Sequence, residues 1–206
     1  MPVTPQIPSL LVMLDYFGIA VFAISGALVA AERRVDFVTF IFFAVITGVG
    51  GGTIRDLLIG APVFWVRTNG TLVICIAAAL LVWFVSHRRV SHTALLWFDA
   101  AGMAAYSAYG AAKALGFGVA PVPAFVMGVL TACAGGIIRD VLAGEPSVLM
   151  QRELYVTPAA LSAGLFVALT LAGMAIWPAA AIAIVGGFLL RAGAITRGWS
   201  LPVYSG

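Results

Sequence analysis

Residues 47–62 read TGVGGGTIRDLLIGAP, and residues 131–146 read TACAGGIIRDVLAGEP. The two segments align without gaps at an offset of 84 positions, with nine of sixteen positions identical. At the same offset DYFGIAVFAISGA (15–27) aligns with DAAGMAAYSAYGA (99–111), pairing Asp15 with Asp99, Gly18 with Gly102 and Gly26 with Gly110. Apolar bias alone does not put Arg-Asp, Gly-Gly and Pro in one register. The chain is an internal duplication.

What surrounds the duplicated segments sets the medium. The chain of 206 residues is 63% hydrophobic and 9% charged, with a mean hydropathy of +1.11. A soluble domain carries roughly 25% charged residues, so most of this surface faces something other than water. A spanning helix needs ~20 mostly apolar residues, and the apolar runs predict seven spans, at 10–31, 37–59, 70–86, 95–114, 121–143, 155–176 and 178–196. Helix is the expected state of each, because backbone groups in hydrocarbon must bond within their own segment. The pI of 9.2 reflects arginines at span ends, a topology signal rather than a nucleic-acid footprint. Cys75 and Cys133 lie in apolar segments, with no CxxC or Cys/His cluster beside them, which argues against a disulfide framework or a metal site.

Three spans separate equivalent positions of the two copies. An odd number turns the second copy over in the membrane. The expected fold is therefore an all-α integral membrane protein. It has a first three-helix repeat over 10–86, a second, inverted repeat over 95–176, and an extra C-terminal helix over 178–196. Arg33, Arg34, Arg88, Arg89, Arg152, Arg191 and Arg197 then fall on or toward one side. The positive-inside rule places the N-terminus outside and the C-terminus in the cytoplasm. Trp65, Trp83, Trp97, Trp177 and Trp199 lie near span ends, as an interfacial aromatic belt would.

Gly50, Gly51 and Gly52 interrupt span two, and Ala134, Gly135 and Gly136 are their equivalents in span five. Each glycine disfavours helix by ~1 kcal/mol against alanine, so the clusters predict a kink or a short unwound stretch. Inverted repeats with interrupted helices at matching positions characterise transport proteins, whose substrate path passes the interruption. Freed carbonyls can replace the hydration shell of a cation, and Thr47, Thr53 and Thr131 add hydroxyl oxygens. The competing role is close helix packing through small residues; both can hold together.

Arg55 and Arg139 lie within their spans, where a charge pairs with another or faces a watery cavity. The topology predicts two clusters on opposite sides of the midplane. One joins Asp15 to Arg55 and the other joins Asp99 to Arg139, with Asp56 and Asp140 as alternative carboxylates. These pairs either join helices or border a path. Lys113 stands outside the repeat, opposite Val29, and is read as a snorkelling side chain or as a charge that senses voltage or regulates the pore. His87, Arg88, Arg89 and His92 form a basic group suited to anionic lipid headgroups. No nucleophile–base pair occurs, so the chain reads as a non-enzyme without cofactor and without nucleic-acid partner.

GGGTIRDLLIGAPVFWV (50–66) and GGIIRDVLAGEP (135–146), each downstream of an Asp-x-x-Gly span, resemble the two halves of bacterial homologues of TRIC, the trimeric intracellular cation channels. GAAKA (110–114) is similar to the lysine-bearing end of that family's fourth span. The resemblance covers about residues 10 to 196. It implies a homotrimer in the bacterial inner membrane, with one pore through each subunit, permeable to potassium, sodium and other monovalent cations. The implied pore motif is Gly50, Gly51, Gly52, Thr53, Arg55 and Asp56 in span two, and Gly135, Gly136, Arg139 and Asp140 in span five. Ala134 departs from the triple glycine. Bacterial members are also described as glycine transporters, so a carrier for a small amino acid is the alternative.

Overall fold

The computed structural model describes residues 9–85, 92–147, 149 and 154–202. His87, Arg88, Arg89 and Arg152, and the side chain of His92, lie outside the described residues. The described residues form seven α-helices in chain order: α1 (Ser9–Glu32), α2 (Phe37–Leu58), α3 (Asn69–Val85), α4 (His92–Gly116), α5 (Pro121–Ala143), α6 (Val156–Leu171) and α7 (Ile176–Arg197). A 3-10 turn, Phe64–Val66, joins α2 to α3. Among these elements α1, α2, α5 and α7 combine spanning length with apolar composition, while α3 and α6 are apolar but have 17 and 16 residues.

Local chemistry fixes the helix ends. Asp36 caps α2 by accepting the backbone N–H groups of Val38 and Thr39, each at 3.0 Å, which satisfies two of the donors a helix start leaves open. α5 opens on Pro121 and ends on Gly144, which holds a left-handed φ of 67°. One join departs from expectation. The break between the last two spans falls at 172–175 rather than at Ile-Trp-Pro, and α7 begins at Ile176. Gly173 takes a φ of 85° and ends α6, whereas Pro178 sits in the first turn of α7, where a missing N–H breaks no helical hydrogen bond.

Polarity is arranged inside out. Val38, Phe84 and Val122 are about three-quarters exposed, while Arg55, Asp56, Asp99, Lys113, Arg139 and Asp140 are all buried. Water would reverse that order; lipid favours it. The protein is a multi-pass membrane protein.

The two copies are related by a local twofold. A methyl group on Gly51 would collide with the carbonyl oxygen of Thr131, and one on Gly135 would lie 2.6 Å from the carbonyl oxygen of Thr47. Likewise Gly18 of α1 lies against the ring of Tyr106 in α4, and Gly102 lies against the ring of Phe22. Each pair is the other shifted by one repeat. As the index rises along one helix, the index of its contact falls along the other. Equivalent helices therefore run antiparallel, and the axis relating them lies across the helices. That is the inverted repeat; α7 stands outside it and packs on α4 and α6.

The expected unwound stretch is not present: α2 and α5 are helical from end to end through their glycines. The glycines serve a different need. Gly51 and Gly135 let the two backbones touch where α2 crosses α5. Contact at that range compensates a glycine's ~1 kcal/mol helix penalty, whereas unwinding would leave backbone groups unsatisfied at several kcal/mol each.

Candidate functional site

Arg55 lies one helical turn beyond Gly51, and Arg139 one turn beyond Gly135. The crossing therefore carries one buried guanidinium on each flank, and each folds back toward the glycines: Arg55 Nη2 lies against Gly52 and Arg139 Nη2 against Gly136. Both clusters predicted from the sequence exist, with different internal wiring.

In the first cluster the partner of Arg55 is its neighbour. Arg55 Nε donates to Asp56 Oδ1 at 2.9 Å, and its Nη2 lies 2.8 Å from the same oxygen. Lys113 crosses from α4 and places Nζ 2.8 Å from Asp56 Oδ1 and 2.9 Å from Oδ2. Asp56 Oδ2 also accepts the backbone N–H of Phe64 at 3.1 Å. Asp15 instead accepts from the Tyr106 hydroxyl at 3.1 Å. Aromatic faces close the cluster. The Arg55 guanidinium lies 5.0 Å from the Tyr109 ring centre, and Lys113 Nζ lies 5.6 Å from that of Phe64. Lys113 is thus an ion-pair partner in the interior, not a side chain reaching the interface.

In the second cluster Arg139 bridges two carboxylates. Its Nη1 donates to Asp99 Oδ1 at 2.8 Å and to Ser25 Oγ. Its Nε donates to Asp140 Oδ1 at 2.9 Å. Ser25 and Tyr109 are repeat equivalents, as are Asp99 and Asp15. Among the charged positions of the clusters the equivalence breaks at Lys113, which corresponds to Val29. Arg191 of α7 enters here, donating Nη1 to the Leu154 carbonyl at 2.8 Å, with its guanidinium 5.6 Å from the Tyr155 ring centre. Tyr155 packs against Gly136. Its hydroxyl and Asp99 Oδ2 are buried and make no hydrogen bond among the described residues.

A cavity of about 140 Å³ reaches the second cluster, lined by Glu32, Arg33, Asp99, Arg139, Asp140 and Glu145 among others. An exposed Arg33–Glu145 ion pair links the end of α1 to the segment after α5. The first cluster is covered by Phe64.

The threonines divide. The Thr53 hydroxyl donates to the Val49 carbonyl at 2.7 Å and accepts from Trp65 Nε1 at 2.9 Å, pinning the 3-10 turn that carries Phe64. The Thr131 hydroxyl donates to the Met127 carbonyl at 2.5 Å. Thr47 Oγ1 is buried at the crossing and makes no hydrogen bond among the described residues. Gly50, Gly52 and Gly136 are buried beside it. Sequence reasoning missed Tyr106, Tyr109, Phe64, Tyr155 and the interior position of Arg191. A signal existed for the last, a charge six residues inside the end of an apolar helix, but it also fits a topology marker.

The family model described as glycine transporter matches twice, over residues 12–87 and 96–171. These two matches follow the duplication. A UPF0126 membrane protein of Vibrio cholerae is 41% identical over 96% of this chain and 84% of its own length. The UPF0126 inner membrane protein YadS of Escherichia coli is 42% identical over 70% and 71%. The solved TRIC channel orthologue from Rhodobacter sphaeroides superimposes with a TM-score of 0.89 at 41% identity, covering 93% of this chain and all of that one. A prokaryotic TRIC channel crystallised in 0.5 M KCl gives 0.86 at 27% identity, covering 95% of this chain and 100% of that one. The chain belongs to this family, the bacterial TRIC channel homologues and UPF0126 membrane proteins matched by the glycine-transporter model.

Proposed function

We propose that the protein is a channel for monovalent cations, potassium among them. Its path runs within each subunit past the crossing of α2 and α5. The observation that carries this reading is the pair of twofold-related buried charge clusters on the two flanks of one backbone crossing. Buried charge at such depth belongs to a path or a relay more often than to a passive helix contact. Each guanidinium is matched by carboxylates, so a cation approaching either flank does not meet an uncompensated positive charge. In this state the Gly51 and Gly135 contacts close the middle and Phe64 closes the first flank. Conduction requires both to move. Thr47 Oγ1 is a buried oxygen with unused hydrogen-bonding capacity, and it would face an ion once the crossing loosens.

The similarity to a trimeric intracellular cation channel orthologue and to an inner membrane protein supports a homotrimer in the inner membrane; in this reading each chain carries its own path. The arginine distribution supports an outside N-terminus, which places the open cavity on the cytoplasmic side. The three-part division, with repeats over 10–86 and 95–176 and an added helix over 178–196, belongs to the same proposal. The family description favours a second reading, a glycine carrier.

Purified protein in a planar bilayer separates the two. The channel reading expects discrete current steps that reverse at the potassium equilibrium potential under a KCl gradient. Electrically silent bilayers, together with saturable glycine uptake by proteoliposomes, would overturn it.

A further inference from the structure

The first cluster contains two cations and two carboxylates: Arg55 and Lys113 with Asp15 and Asp56. The twofold generates only three of these four charges on the other flank: Arg139, Asp99 and Asp140. The fourth position is Val29, which lines the cavity beside Asp99 and Asp140. Left there, the described residues of that flank would supply one repeat-derived cation, Arg139, beside two buried acids. Arg191 lines the same cavity, is 1% exposed, and comes from the one helix outside the duplication.

We infer that Arg191 is the second cation of this cluster, supplied by α7 where the repeat lacks its lysine, and that it sets the net charge an ion meets in the cavity. The remaining lining charges do not perform this function. Glu32, Arg33 and Glu145 are exposed, and Arg33 pairs with Glu145. Exposed charges are screened by salt, while buried ones are screened much less. Arg191 also binds the Leu154 carbonyl and lies beside the ring of Tyr155, whose hydroxyl packs against Gly136, so charge and anchoring have to be separated. α7 thereby becomes part of the conducting unit. The inference rests on the channel reading for its effect on flux, but not for its effect on cavity charge.

Four variants test it: Arg191→Met, Arg191→Lys, Val29→Lys, and the double variant with Val29→Lys and Arg191→Met. In about 10 mM KCl, where the screening length is ~30 Å, Arg191→Met should raise unitary conductance about twofold, and Val29→Lys should lower it by a similar factor. The double variant and Arg191→Lys should return to wild type. In about 1 M KCl, where the screening length is ~3 Å, the differences should disappear. A second readout needs no conduction. Leu96→Cys places a thiol in the cavity wall, and the ratio of its reaction rates with cationic and anionic thiol reagents should rise in Arg191→Met and fall in Val29→Lys. Unchanged ratios in both overturn the inference. So does a double variant that keeps the Arg191→Met phenotype, since anchoring alone would explain it. If Arg191→Met does not fold, Val29→Lys decides by the same ratio. A wild-type protein without potassium current sinks the channel reading, and the reagent ratios still decide the role of Arg191.

Discussion

Lys113 Nζ lies 2.8 Å from Asp56 Oδ1, so a cation on α4 holds a carboxylate on α2 that already pairs with its own neighbour, Arg55. Two cations converge on one buried acid. Removing a member leaves charge in the interior with fewer partners, and losing one partner of a buried pair costs ~3–5 kcal/mol. Lys113→Met should therefore lower the melting temperature in detergent, and Asp56→Asn should do so more, because it strands two cations. A Lys113→Met protein as stable as wild type would show that the bridge carries no net energy.

The glycine crossing gives a prediction graded by position. A side chain on Gly51 or Gly135 would meet backbone carbonyl oxygen, which cannot swing away, whereas one on Gly50 would meet the tip of Ile138 at 3.0 Å. Overpacking costs ~1–3 kcal/mol. Gly51→Ala and Gly135→Ala should each reach the upper end of that range, and Gly50→Ala the lower end or less. Thermal melting in one detergent checks the order; equal losses at all three positions would contradict the backbone contact.

Phe64 covers the first cluster and is held by its own N–H on Asp56 and by the Trp65–Thr53 bond. Phe64→Ala should increase potassium flux through reconstituted protein while leaving the second flank unchanged. Thr53→Val should act in the same direction by releasing the turn. Flux at the wild-type rate in both would remove Phe64 from the path.

Asp36 lies outside the spans and gives a prediction about pH. The Thr39 hydroxyl, followed by the backbone N–H groups of Thr39 and Val38, holds its carboxyl below the usual carboxylate range. A depressed folded value means that the stabilisation is complete above the unfolded pKa of ~3.9 and is lost as pH falls through the lower folded value. Asp36→Ala should therefore melt below wild type at neutral pH, and the two curves should converge in acid once pH falls below the depressed folded value. A gap that persists there would assign the effect to something other than the ionised cap.

The fold was legible because lipid reduces the options. Apolar runs gave the helices, and one offset gave the inverted pair; the register in which residue 51 meets 131 and 135 meets 47 came only from the packing. The glycines were read as an interruption because helix propensity is a local property, while the compensating contacts, Gly51 with Thr131 and Gly135 with Thr47, lie 80 and 88 residues away in the chain. Asp99–Arg139 followed from depth alone. Asp15–Arg55 did not form as a direct pair, because the adjacent Asp56 reaches the guanidinium without crossing between helices. Lys113 and Arg191 were harder to place. Both sit in the last two turns of their helices, where a long basic side chain can turn outward or inward, and only the packing around it decides.

The backbone contact between Gly51 and Thr131, mirrored by Gly135 and Thr47, has a mechanical consequence. Two rods pressed together at one point cannot slide sideways there, yet they remain free to change the angle between them. Splaying α2 from α5 about that pivot widens both flanks in unison, like the blades and handles of shears. Tilting the pair as one body would instead widen one flank while narrowing the other. With the pivot on the twofold axis, the first motion preserves the symmetry of the halves and the second breaks it.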